Sequence, residues 1–280
     1  MEAVQQSLRG MLRWSRAGSR GDSRARRRVF VTVALTVSLP LSLLLSLMLG
    51  PMELSAGRVA GILAGKAGLA DLADYSLGEI VVVWDIRFSR ALLAILVGGG
   101  LAMAGATMQG VFRNPLADPG IIGVSGGGAI GAILMIVLGG RILSAAFFEG
   151  FGLYAVPIAA MIGAVFMTFL IYRLSLARGQ VDLVCMLLVG IAINALGGAV
   201  IGLMTFISTD QELRTMTFWG LGSLGRANWS LILPGLLFIL PPLLALPRYA
   251  NALNALLLGE AEARHLGIDT KRVKTLLIAL

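Results

Sequence analysis

Few residues in this chain could do covalent chemistry. Gly123-Val124-Ser125-Gly126-Gly127 matches G-x-S-x-G, and a G-x-S-G run inside an apolar segment is what an intramembrane serine protease needs. A serine becomes a nucleophile only with a base in hydrogen-bond reach. The single histidine, His265, falls in a polar stretch that the order of spans places outside the membrane, a leaflet or more from Ser125. Gly126-Gly127-Gly128-Ala129-Ile130-Gly131 satisfies G-x-G-x-x-G, but a dinucleotide fingerprint needs a strand in front of it and none is expected here. No G-x-x-x-x-G-K-[ST] occurs, so no P-loop nucleotide site is expected. The one cysteine, Cys185, lies in an apolar run and says nothing about redox compartment. No catalytic residue and no metal-ligating set emerges. Binding chemistry is better represented: Arg87 and Arg90 stand three residues apart, on one face of a helix.

The elements that must position these residues follow from composition. The chain has 280 residues, of which 57% are hydrophobic and 14% charged, with a mean hydropathy of +0.87. Soluble domains carry about 45–50% apolar and about 25% charged residues, so a water-soluble globule is excluded. Disorder, collagen and a disulfide scaffold are excluded too, since there is one cysteine and no glycine period. An all-α, polytopic helical membrane protein remains.

Apolar runs predict spans at Val29–Gly50, Ala91–Val111, Ile121–Gly140, Leu153–Tyr172, Leu183–Ile207 and Leu231–Leu246, with a further stretch at Val273–Leu280. Arg9, Arg13, Arg16, Arg20, Arg24, Arg26, Arg27 and Arg28 crowd ahead of the first span. An arginine-rich segment alone could bind nucleic acid, but one leading directly into an apolar run marks the cytoplasmic side. The first run is too long for a cleaved signal peptide. Residues 1–28 are therefore expected as a basic cytoplasmic tail and 29–280 as a transmembrane domain. With that topology, 16 of the 23 Lys and Arg are cytoplasmic and 7 external, which supports it independently of hydropathy.

Ionisable groups are nearly absent within the spans, which disfavours a proton- or ion-coupled secondary transporter and suggests an energy source outside the membrane segment. Gly123, Gly127 and Gly131, and again Gly198 and Gly202, recur every four residues, the pattern that lets helix backbones approach closely; a flexible gate is the alternative. Asn194 is the one strongly polar side chain in mid-span, either an interhelical hydrogen-bonding group or a lining group of a pathway.

Three blocks carry a resemblance. The first comprises Arg87-Phe88-Ser89-Arg90, Gly105-Ala106-Thr107-Met108-Gln109-Gly110, and Arg113-Asn114-Pro115-Leu116-Ala117-Asp118-Pro119-Gly120-Ile121-Ile122-Gly123-Val124-Ser125. The second is Phe218-Trp219-Gly220-Leu221-Gly222-Ser223-Leu224, and the third Leu258-Gly259-Glu260-Ala261-Glu262-Ala263-Arg264-His265-Leu266-Gly267-Ile268. Together they resemble, over about residues 75–280, the permease subunits of type II ABC importers, which take up ferric siderophores, haem or cobalamin. The local pattern departs at Phe88-Ser89, where that family has leucine-proline.

The resemblance implies a membrane-spanning permease of the inner membrane, with a cytoplasmic N-terminus, working as a homodimer. It implies two ATP-binding subunits and a periplasmic substrate-binding protein as partners, no nucleic acid, and no catalytic residue or bound cofactor in this chain. The cargo expected is haem or a ferric siderophore, with cobalamin as the alternative. Arg87 and Arg90 would receive acidic side chains of the binding protein, and Asn114 and Leu116 would narrow the cytoplasmic gate, in a loop stiffened by Pro115 and Pro119. An amphipathic coupling helix over about 253–267, ended by Gly267, would insert into the ATPase through Leu258, Gly259, Glu260, Glu262, Ala263 and Gly267. A short external helix over about 211–224 would close the outer mouth, and Asn194, Thr205, Ser208 and Thr209 are candidate path residues. The family has about ten spans. Six and a short stretch fall here, so the 280 residues are expected to be an incomplete chain.

Overall fold

The computed structural model describes the backbone of residues 2–177 and 180–280, and the side chains of 25–120, 122–144, 149–176 and 181–280. Six helices among them are long and apolar enough to cross a membrane: Ala25–Met48, Leu77–Phe112, Val124–Ile142, Glu149–Leu174, Leu183–Ile207 and Trp229–Leu258. The protein is a polytopic helical membrane protein. Residues 1–91 and 92–280 form two compact units.

In the first unit, α1 (Glu2–Met48) is one helix, so the backbone of the expected basic tail runs without a break into the first span. The side chains of residues 1–24, including Arg9, Arg13, Arg16, Arg20 and Arg24, lie outside the described residues. Within the span nearly every side chain is exposed, as suits a lipid-facing helix. The hydroxyls of Thr36, Ser38, Ser42 and Ser46 bond back to carbonyls three or four residues earlier, which spares these four groups an unpaired place in hydrocarbon. Between the first two spans expected from hydropathy, Val29–Gly50 and Ala91–Val111, the chain forms α2 (Ala56–Lys66), capped by Ser55, and then α3 (Leu77–Ile80), opened by a Ser76/Glu79 capping box. A π-helical stretch, Val81–Phe88, continues α3 into α4 (Ser89–Phe112). Leu47, Leu54, Val59, Ile62 and Val83 make this unit's core. Arg58 holds α2 to α3 through a two-pronged ion pair with Glu79, at 2.6 and 2.7 Å.

The second unit contains most of α4, then a 3₁₀ turn (Pro119–Ile122), α5 (Val124–Ile142) and α6 (Ala145–Leu174). A ribbon of two-residue strands, Leu176–Ala177 and Gln180–Val181, leads to α7 (Leu183–Ile207), α8 (Asp210–Leu221) and α9 (Trp229–Ala245). After a second 3₁₀ turn (Leu246–Tyr249) come α10 (Ala250–Leu258), α11 (Glu260–His265) and α12 (Thr270–Ala279). The expected single helix over 253–267 is thus two helices. Gly259 breaks them at φ +132, a backbone setting closed to L side chains. The short helix expected over 211–224 starts one residue earlier, at Asp210, and ends at Leu221, where Gly222 at φ +72 stops it.

The closest helix pair is α5 against α6. A methyl placed on Gly127 would strike the Gly163 carbonyl, one on Gly163 the Gly127 carbonyl, and one on Gly131 the Ala159 carbonyl. The four-residue glycine pattern of α5 is therefore a packing seam. Gly198 and Gly202 differ: they are exposed on α7, with nothing within 4 Å of a Cβ built there among the described residues. Their spacing does not make a seam within this chain. This contrast sets a test. Gly131→Ala is expected to cost about 1–3 kcal/mol by overpacking backbone against backbone, whereas Gly198→Ala leaves thermal unfolding in detergent unchanged.

Candidate functional site

Two ends of the second unit gather the polar machinery. At one end lie the loop after α4, the start of α5, and α10–α12; at the other lie the end of α5, the α7–α8 turn and the start of α9. The loop after α4 is built by local hydrogen bonds. Arg113 takes a left-handed φ of +52, its N–H donates to Gly110 O, and the Asn114 N–H donates to Gln109 O, a Schellman ending with arginine where glycine is usual. Asn114 Oδ1 then accepts from Leu116 N at 2.9 Å, and Asp118 Oδ1 accepts from Gly120 N at 2.7 Å. The prolines and these two Asx turns together make the loop stiff. The Asn114 side chain is exposed, and Leu116 is 83% exposed.

Asn194 reaches the same loop. Its Nδ2 donates to Gly120 O at 3.4 Å, and its Oδ1 stands where a side chain on Gly126 would sit. The bond Asn194 makes is thus to the 3₁₀ turn ahead of α5. A cavity of about 540 Å³ opens beside the loop, with Gln109, Arg113, Asn114, Pro247 and Asn254 in its wall. Leu253 of α10 seats directly on Gly110: a Cβ there would be 2.8 Å from Leu253 Cδ2. The last turn of α4, just ahead of the loop, and α10 are therefore in direct packing contact.

The coupling residues read from sequence separate into two groups. Leu258, Glu262 and Gly267 are exposed, with Leu257 and Leu266 beside them. Gly259 and Ala263 are buried, Ala263 in a small core with Ala255, Leu256, Ile268 and Val273. Glu260 is half-buried and accepts from Lys274 Nζ of α12. Gly267, at φ +81, ends α11 in a full Schellman motif, Gly267 N–H to Arg264 O and Ile268 N–H to Ala263 O. The corner thus presents leucines and Glu262 outward from a fixed interior.

At the opposite end, Thr209 caps α8 through a capping box with Glu212. Arg141 Nη2, at the end of α5, donates to Ile207 O at 3.2 Å and to Glu212 Oε2 at 3.3 Å. The Thr209 N–H foremost, with the Thr209 hydroxyl and the Arg141 charge, holds the Glu212 carboxyl below the usual carboxylate range. Thr205 and Ser208 spend their hydroxyls on Ile201 O and Thr205 O. As path residues they offer only their acceptor lone pairs.

In the first unit the two arginines part company. Arg87 is buried, its Nη1 donating to Leu47 O at 2.7 Å and Met48 O at 2.9 Å and its Nη2 to Met52 O. It closes the open carbonyls at the end of α1. Arg90 is exposed. The expectation that both present one face is corrected: the π-helical turns running to Phe88 are wider than α turns, and the α1 carbonyls draw Arg87 inward. Ser125 opens α5 and His265 ends α11, with no hydrogen bond between them among the described residues. Nor is any group of three or more His, Cys, Asp or Glu placed there to hold a metal.

The chain is similar to proteins of one kind. It is 43% identical over 199 residues to the hemin transport system permease protein of Yersinia pestis, covering 71% of this chain and 58% of that protein. It is 35% identical over 222 residues to the vitamin B12 import system permease protein of Pectobacterium atrosepticum, covering 79% and 63%. The chain thus spans about three fifths of the length of these two relatives. Among solved structures it resembles an inward-facing metal-chelate type ABC transporter, with a TM-score of 0.68 at 30% identity over 89% of this chain and 71% of that one. Residues 38–280 match the FecCD transport family, and the chain belongs to that family.

Proposed function

We propose that this chain is the membrane-spanning permease part of an ATP-driven importer, moving an iron chelate, haem or a ferric siderophore, into the cytoplasm by alternating access. It would sit in the inner membrane with its N-terminus inside and work as a pair of copies. Two ATP-hydrolysing subunits would dock on the α10–α11 corner, and a periplasmic binding protein would deliver cargo on the other side. The observation that carries this reading is the corner itself. It turns at Gly259 past the end of the last membrane-length helix, exposes Leu257, Leu258 and Leu266 beside Glu262, and its α10 packs against the last turn of α4 through Leu253 and Gly110. Such a surface suits insertion into a groove on a partner whose movement must reach the membrane helices. Haem is favoured as cargo by the 43% identity to a hemin permease, and cobalamin is the second reading, favoured by the vitamin B12 permeases.

The test is uptake by the full assembly in liposomes, comparing haem, a ferric siderophore and cobalamin at saturating ATP. Haem is expected to give the largest ATP-dependent uptake. Accumulation that needs no ATPase and collapses with the proton gradient would overturn the importer reading.

Arginine at the outer face is a second test. Arg90→Glu is expected to weaken binding-protein affinity about tenfold while leaving thermal unfolding alone, since rim charges act on encounter. Arg87→Gln is expected to lower the unfolding temperature, because it leaves buried carbonyls unpaired.

The α8 cap gives a pH signature. A carboxyl held below its ordinary value of 4.5 contributes its stabilisation above that pH and loses it as the pH falls through the lower folded value. A spin label on α8 should therefore keep constant mobility from pH 8 to 5 and loosen below about pH 4.5. Glu212→Gln, which can still cap but cannot titrate, should flatten that dependence.

A further inference from the structure

Lys274 is buried, 5% exposed, in α12 behind the α10–α11 corner. Its ammonium donates to Glu260 Oε1, the first residue of α11. A buried ion pair is seldom the most stable way to fill such a place, because desolvating two charges offsets most of their attraction. What it adds is a directional link between two particular points. Those points lie on either side of a rigid turn: α11 ends in the Gly267 Schellman motif, and Asp269 caps α12 by accepting from Arg272 N at 3.0 Å. Beyond Lys274, the next residue in the chain is hydrogen-bonded across to α6, Thr275 Oγ1 to Tyr172 Oη at 3.0 Å. Two residues further, Leu277 packs with Val111 of α4 and Leu246.

We infer that the Glu260–Lys274 pair is a positioning element that locks α11 to α12, so that a displacement of the α10–α11 corner is delivered to the ends of α6 and α4. This rests on the reading of the corner as the docking surface of an ATP-hydrolysing partner. Glu260 then acts not at the partner surface but behind it, which agrees with its half-buried position beside exposed Leu258 and Glu262. The pair is the first link of the chain of contacts and the Thr275–Tyr172 bond the second.

The experiment uses the full permease assembled with its ATPase and binding protein in liposomes, and reads cargo moved per ATP hydrolysed. Glu260→Gln and Lys274→Met are each expected to lower that ratio about tenfold, the size of a coupled pair. The exchange Glu260→Lys with Lys274→Glu should bring it back to within about twofold, and Lys274→Arg should keep at least about half of it. The apolar double variant, Glu260→Leu with Lys274→Met, separates positioning from mere cohesion: it is expected to unfold no earlier than the unsubstituted protein yet to stay uncoupled. A full ratio in that apolar double would overturn the proposal, as would an exchange variant or Lys274→Arg that assembles with the ATPase but recovers nothing. An unsubstituted assembly whose uptake ignores ATP would sink the importer reading itself, and the proposal with it. Normal coupling with insensitive variants would sink the proposal alone.

Discussion

A peptide group in hydrocarbon has no water to turn to, and each one left unpaired costs on the order of several kcal/mol. Every other feature of this protein follows from that constraint. It confines the spans to helices and turns serine and threonine hydroxyls back onto their own carbonyls, as at Thr36 and Ser46. It also moves all unmet demand to the helix ends, where four donors or four acceptors remain. Many of the ends here are met by side chains. Side chains of Ser55, Asp118, Asp182, Thr209, Asn228 and Asp269 cap N-termini, while Arg87 supplies donors to the last carbonyls of α1. The segments that look like functional loops are these terminators. A loop that ends a helix with its backbone groups paired in this way is not soft, and the loop after α4 is such a loop.

How much of this could be read from sequence depends on which force decides each element. Where hydrophobic length alone decides, the reading was accurate: Leu183–Ile207 was expected as a span and is α7 to the residue, and Leu231–Leu246 is α9 shifted by two or less. Where capping decides, the hydropathy window saw nothing. α2 and the start of the second spanning helix were missed, although Ser55 and Ser76-Leu77-Gly78-Glu79 are N-terminal signatures. Where tertiary contact decides, spacing misled. Arg87 and Arg90 share a face on an ideal helix, but the carbonyls of α1, which no local pattern reveals, take one of them. Gly198 and Gly202 share the period of Gly127 and Gly131, yet only the latter pair finds a second backbone. Period shows which residues could pack, not whether a partner helix is there.

The family membership and the geometry bear on different questions. The first places the chain among transport permeases and removes any need for Ser125 to act as a nucleophile. The second redistributes the candidate residues by what their side chains are free to do. Asn194 is engaged with Gly120 O, Ala263 is core, and Thr205 and Ser208 have their hydroxyl protons committed. Leu116, Leu258, Leu266, Glu262 and Arg90 remain outward-facing.

The two Schellman endings sharpen this division. At Gly267 the left-handed residue is glycine and the turn is relaxed, so the α11–α12 corner can act as a solid bracket. At Arg113 the same motif is made by a residue with a Cβ, at a cost of roughly 1–2 kcal/mol, and that cost sits beside Asn114 and directly above the Gly110–Leu253 contact. A relaxed bracket transmits displacement, whereas a strained turn lowers the cost of leaving its present conformation. Gly259 completes the arrangement by placing a joint, closed to any other residue at φ +132, between the outward leucine of α10 and the first carboxylate of α11. On the proposed reading, force applied at Leu258 would meet a joint, then a bracket held by an ion pair, while the packing of Leu253 on Gly110 would carry it to the last turn of α4 beside Arg113, among the described residues the one non-glycine with a positive φ. On that reading, stiffness at the corner and strain at the loop would be complementary parts of a single lever, with residue type assigning each to its place.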